Sequence, residues 1–174
     1  MRIRYALPVM FCLVALAGGL GASARADEQP MTADNFLTTA SAMNKGEINA
    51  AEMALKQDDA AQEIKGLADQ LYRDHQRLGE QLEQLAQSRT LSLAATADAR
   101  SLGNAARLAV LGGANFDEAF LETQVAAHER FIRLMERAAQ ELEDDELREF
   151  ARMQVAPLRA HLERAKKLAA SRSE

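Results

Sequence analysis

Hydrophobic positions return at intervals of four and three over three long stretches of this chain. Ile64, Ala68, Leu71, His75, Leu78, Leu82 and Leu85 make one series. Leu121, Val125, His128, Ile132, Met135, Ala139 and Leu142 make a second, and Leu147, Ala151, Gln154, Leu158, His161, Ala165 and Leu168 a third. Such steps keep residues on one face of an α-helix. An earlier stretch carries Phe36, Ala40, Met43, Glu47, Ala50 and Ala54 on one seam, with Leu37, Ile48, Ala51 and Leu55 beside it. Four long helices are therefore predicted. The first runs from Thr32 or Asp34, either able to cap it, to Asp58-Asp59, and Lys45-Gly46 is a place for it to bend. The second follows to about Ser88, with Asp59 and Gln62 as a capping box. The third runs from about Phe116 to Leu142, opened by Asn115 with Glu118. The fourth spans about Glu146 to Ala170, capped by an Asp of the run Glu143-Asp144-Asp145, with a kink expected at Pro157.

Residues 89–97 lose the pattern. A shorter helix from about Asp98 to Leu111 is expected to turn Leu102, Ala106 and Ala109 inward and to stop at Gly112-Gly113. No long helix can bury its stripe alone, so the pattern predicts an all-α fold, a four-helix bundle of ferritin-like type. Two antiparallel hairpins would be joined by a middle crossover, long enough to run the length of the bundle and carrying the short extra helix. The single bundle domain is placed at 34–170, after a leader at 27–33 and before a disordered tail at 171–174.

Composition changes this picture mainly at the N-terminus. Arg2 and Arg4 precede the apolar run Ala6 to Leu20, followed by Ala22-Ser23-Ala24 and Ala24-Arg25-Ala26 as cleavage candidates. Residues 1–26 read as a secretory signal peptide, with cleavage after Ala26 favoured over Ala24, and a periplasmic destination. Cys12, the one cysteine, lies inside that run behind Val9, Met10 and Phe11 and so lacks a lipoprotein context. The mature chain then has no thiol, which excludes disulfides and thiolate metal sites. Loss of Arg2, Arg4 and Arg25 leaves 18 basic residues against 26 acidic ones, a net charge near −8. That balance argues against nucleic acid and anionic membrane surfaces as partners. No later stretch is long and apolar enough for a transmembrane span. Nothing in the pattern names a partner protein or an oligomeric state.

The candidate chemistry lies in the three histidines. His75, His128 and His161 sit on the inward stripes of three different helices. At 1.5 Å per residue they fall near mid-height, as does Glu47 of the first helix. A transition-metal site of Glu47, His75, His128 and His161, for Zn, Fe, Mn or Cu, is allowed by this spacing. The same residues also allow a buried polar network that fixes helix register, with Asp74 or Glu47 as partners. Catalytic di-iron chemistry is disfavoured, because its Glu-x-x-His signature is missing. Tyr72, Val125 and Leu158 stand three residues before the histidines. The methionines Met43, Met53, Met135 and Met153 read as core filler.

Glu47-Ile48, Asp74-His75, Phe116-Asp117-Glu118-Ala119-Phe120, His128 and Pro157-Leu158-Arg159-Ala160-His161-Leu162 resemble, in that order, a bacterial family of exported proteins. It is catalogued as domain of unknown function 4142 and often labelled as outer membrane. The resemblance covers about residues 34–168 and implies a ferritin-like bundle in the cell envelope, associated with the periplasm or the outer membrane. Asp74 and Asp117 are read as second-layer residues beside the candidate ligands. Phe120 stands where the family usually has Tyr, and Val155-Ala156 where it tends to have Leu before Pro. Since the family implies no activity, the reading is of a metal-binding envelope bundle rather than an enzyme. A metal-dependent oxidase or hydrolase is one alternative, and a metal-free structural or partner-binding bundle the other.

Overall fold

The computed structural model describes residues 30–172, and within them all regular structure is helical. The stretch 1–26 read as a signal peptide, Cys12 and the extreme C-terminus lie outside the described residues. Helix α1 spans Ala33–Lys56, α2 Gln62–Gln87, α3 Ala99–Leu108, α4 Gly113–Glu141 and α5 Asp145–Ala170. No described helix is long and apolar enough to cross a membrane.

Two ends of the bundle can be traced by their ties. At one, Arg89 just past α2 bonds Asp144, the N-cap of α5, at 2.8 and 2.9 Å and Glu146 in the first turn of α5 at 2.8 Å. At the other, Ala61 N–H in the α1–α2 turn donates to Asp117 Oδ2 near the start of α4, at 3.2 Å. Helix α2 thus finishes where α4 finishes and begins where α4 begins. The α1–α2 and α4–α5 hairpins lie side by side, and residues 88–112 run the length of the bundle between them, carrying α3. This is a four-helix bundle with one long crossover.

The buried series match the periodicity closely. Ile64, Ala68, Leu71, Leu78, Leu82 and Leu85 of α2, and Leu147, Ala151, Leu158 and Ala165 of α5, are all buried. They form two hydrophobic clusters. One gathers Phe36, Met43, Leu82, Phe131, Met135, Phe150 and Leu158, and the other Ala51, Ile64, Leu71, Leu108, Phe116, Phe120 and Ala165. Between them, at mid-height, lies a buried polar belt of Asn44, Glu47, His75, Gln124, His128 and His161.

Several local expectations are corrected. Thr32 does cap α1, accepting from Asn35 N–H at 3.1 Å, and Asp144 caps α5, accepting from Leu147 N–H at 3.0 Å. The α2 capping box does not form: Ala61 is the N-cap and offers no side-chain bond, so the free N–H is served across the bundle by Asp117. Asp59 instead takes bonds from Gly113 N–H and the Gln57 amide. Helix α4 starts at Gly113, two residues before Asn115, and Gly113 takes φ +52°, a left-handed value open to glycine without strain. Helix α3 ends at Leu108 and buries that residue, while Leu102, Ala106 and Ala109 face outward. The cause is at Gly46, where a Cβ would stand 2.3 Å from Ser101 Oγ. Gly46 lets α3 press against α1 and is a point of close approach within a continuous α1. Helix α5 runs through Pro157 without a break.

Candidate metal centre

His75 comes from α2, His128 from α4 and His161 from α5, each near the middle of its helix. Ring centroids are 5.4 Å apart for His75–His128, 5.7 Å for His75–His161 and 5.4 Å for His128–His161. One nitrogen of each ring lies within 4.8 Å of one from each of the others. Phe131 stacks on His75 at 6.1 Å and closes the apolar side.

The outer partners determine which nitrogen carries a proton. Asn44 Nδ2 donates to the His75 carbonyl at 2.9 Å, so its amide has one allowed orientation, with Oδ1 toward the ring. His75 Nδ1–H donates to that oxygen at 2.8 Å. His128 Nδ1–H donates to the Gln124 carbonyl at 3.0 Å. His161 Nε2–H donates to Asp74 Oδ2 at 3.0 Å. A carbonyl, an amide oxygen and a carboxylate can only accept, so each neutral ring presents its other nitrogen as a bare lone pair. These are Nε2 of His75, Nε2 of His128 and Nδ1 of His161. The first two stand 3.4 Å apart, and the third is buried without a hydrogen-bond partner. Two facing lone pairs repel unless a cation lies between them.

A proton is a poor candidate for that cation. Burial, followed by the mutual repulsion of the rings, holds His75 well below the ordinary histidine value. Burial and the nearby His161 push His128 down to about 3, against a small opposing effect of the Gln124 carbonyl. His161 is also lowered by burial, and its bond to Asp74 opposes this. Near neutral pH all three are free bases. The His75–His128 separation of 3.4 Å is the one a metal would set, since two nitrogens held tetrahedrally by zinc at about 2.0–2.1 Å lie roughly 3.3–3.4 Å apart; the nitrogen of His161 lies within 4.8 Å of both.

The other candidate residues are placed differently. Glu47 is buried, and Oε2 lies 3.9 Å from His128 Nδ1, on the edge of the ring turned away from the other two. It stands behind a ligand ring and outside the group of three. Burial pushes its carboxyl up to about 8, while Gln124 and Arg130 nearby lower it. Glu47 Oε2 and both amide atoms of Gln124 make no hydrogen bond of ordinary geometry. Asp74 lies directly behind His161. Asp117 is remote from the rings: its carboxylate serves the start of α2 and pairs with Arg172 at 2.6 Å. Two residues escaped the sequence reading, Asn44 and Gln124. Both carried a signal, since each is an amide on a buried stripe within one turn of a candidate ligand: Asn44 before Glu47, and Gln124 before His128.

Fold and site together define a four-helix bundle whose core is interrupted by a buried tri-histidine cluster. The domain of unknown function named DUF4142 matches residues 20–168, and the chain belongs to that family. No protein of curated function matches it. Among solved structures, CopM in its Cu(II)-bound form is similar in fold, with a TM-score of 0.70 at 19% identity over 82% of this chain and 99% of that one. CopM in a silver-bound form gives 0.65 at 20% identity, over 81% of this chain and 97% of that one. A secreted DUF305 protein from Streptomyces coelicolor gives 0.68 at 13% identity, over 79% of this chain and 91% of that one.

Proposed function

We propose that this protein is an exported envelope bundle that binds one divalent transition-metal ion through His75, His128 and His161. The observation that carries the reading is the set of outer hydrogen bonds, which turns three lone pairs toward one point where no proton is stable. Of the four ions considered, Zn, Fe, Mn and Cu, an imidazole set holds Cu²⁺ most tightly. Copper is also what CopM binds in the solved structures that share this fold. Glu47 acts from behind His128, as Asp74 acts behind His161. Binding, rather than turnover, is the role the site supports, because all three rings are sealed from solvent.

The test is metal content. Protein purified from the periplasm and then offered Cu²⁺, Zn²⁺, Mn²⁺ or Fe²⁺ should retain one ion per chain by mass spectrometry. His128→Ala should retain none. A wild type that retains none of these ions sinks the reading and leaves a polar network that fixes helix register.

A further inference from the structure

A buried site needs a way in. Three flanks of the cluster are candidates, and the partner behind each ring differs between them. Behind His75, Asn44 is uncharged and buried, at the floor of a groove between α1 and α2 that also carries Lys45 and Glu80. Behind His128, Glu47 and Gln124 are buried, with the Arg130–Asp98 ion pair at 3.1 Å closing that flank. Behind His161, Asp74 is charged and a third exposed, bonding the ring and reaching water at once. His161 is also the least buried of the three rings, at 4% against 1% for the others.

The seam between α2 and α5 around Asp74 is polar. Gln154 donates to Gln81 at 3.2 Å on one side of it, and Arg164 donates to Gln70 on the other. The first of these bonds is exposed and the second half-buried, and a side-chain hydrogen bond that exchanges with water contributes little net. One turn before His161, Pro157 supplies no N–H to the Met153 carbonyl, so α5 is a hydrogen bond short where it covers the site. Two cations modulate the seam: Arg77 lies 3.7 Å from Asp74, and Arg164 is near enough to His161 to disfavour its charge.

We propose that the α2–α5 seam is the port of the metal site, with Asp74 as its surface ligand. Asp74 captures the hydrated cation and passes it inward as the His161 ring swings, and Arg164 opposes the approach. This rests on the metal-binding reading above and adds the route by which the ion arrives.

Stopped-flow mixing of the full chain with Cu²⁺, followed by its ligand-field absorption, tests this. Asp74→Asn keeps an acceptor for His161 Nε2–H but removes the charge. Its on-rate should fall about tenfold at low salt, with the difference shrinking as salt screens the charge. Its equilibrium affinity should change less, because loading and release slow together. Arg164→Gln should load roughly threefold faster. Pro157→Ala should load more slowly. Asp98→Asn and Glu80→Gln, at the other two flanks, should load like wild type. A purely structural Asp74 would leave the salt dependence unmoved. Asp74→Asn loading at the wild-type rate, or a slow step moved to Asp98→Asn or Glu80→Gln, overturns the port. Wild type that takes up no Cu²⁺ at equilibrium overturns the metal site itself, which separates the two failures.

Discussion

Replacing Asn44 by Ala takes away the acceptor that holds His75 Nδ1–H and the donor that holds its carbonyl. The ring is then free to turn its protonated nitrogen inward. Metal affinity should fall by about 10- to 100-fold, the usual cost of losing an outer-layer partner. Titration with Cu²⁺ measures this, and unchanged affinity would show that the tautomer is set elsewhere. The same belt makes the metal-free protein sensitive to pH in two directions. His128 has a folded value of about 3 against 6.5 unfolded, so the unfolded chain takes up the proton first and stability falls as pH drops from 6.5 toward 3. Glu47 is raised from 4.5 to about 8, so the folded chain holds a proton the unfolded one gives up, and stability falls as pH rises from 4.5 to 8. His75 and His161 are lowered as well and steepen the acid limb, so the histidines together outweigh Glu47 below 6.5 and the metal-free protein should melt highest near pH 6.5. Melting curves should show a shallower acid limb in His128→Gln and a lost alkaline limb in Glu47→Gln.

Helices α1 and α3 meet through one absent side chain. Gly46→Val would place carbon against Ser101, which lies on the first turn of α3 beside its cap Asp98. Overpacking of this kind costs about 1–3 kcal/mol, and α3 should detach before the bundle unfolds, visible as early hydrogen exchange in residues 98–109. Asp117→Ala should cost about 1–2 kcal/mol in denaturant melts, because it uncaps α2 and strands Arg172. The long helices were legible because their stripes must be buried in any bundle. The face of α3 was not, since ten residues with apolar positions on more than one side leave its contact to be chosen by Gly46 and Arg130. Asp117 was misplaced for a related reason. A cap contributed from another helix leaves no local spacing in the chain.

In the bundle as a whole, the polar belt divides the core into two hydrophobic clusters, and a bound ion would join all three of the helices that carry its ligands. At a free-ion concentration 100-fold above its dissociation constant, metal should stabilise the fold by about 2.7 kcal/mol. That corresponds to a rise in Tm of roughly 5–10 °C, readable by calorimetry and absent in His161→Ala. Much of this architecture follows from order and spacing along the chain. Repeats of four and three determine helices and their buried faces, and segment lengths alone put His75, His128 and His161 at one height. Side chains at equal height can still miss one another, and sequence spacing carries no rotation about a helix axis. Only packing decided that three nitrogens converge while Glu47 stands behind His128. Only packing, too, set Asn44 and Asp74 against the outer edges of His75 and His161. Those contacts join residues 31 and 87 positions apart: the first forms only when α1 folds back on α2, the second only once the two hairpins have docked.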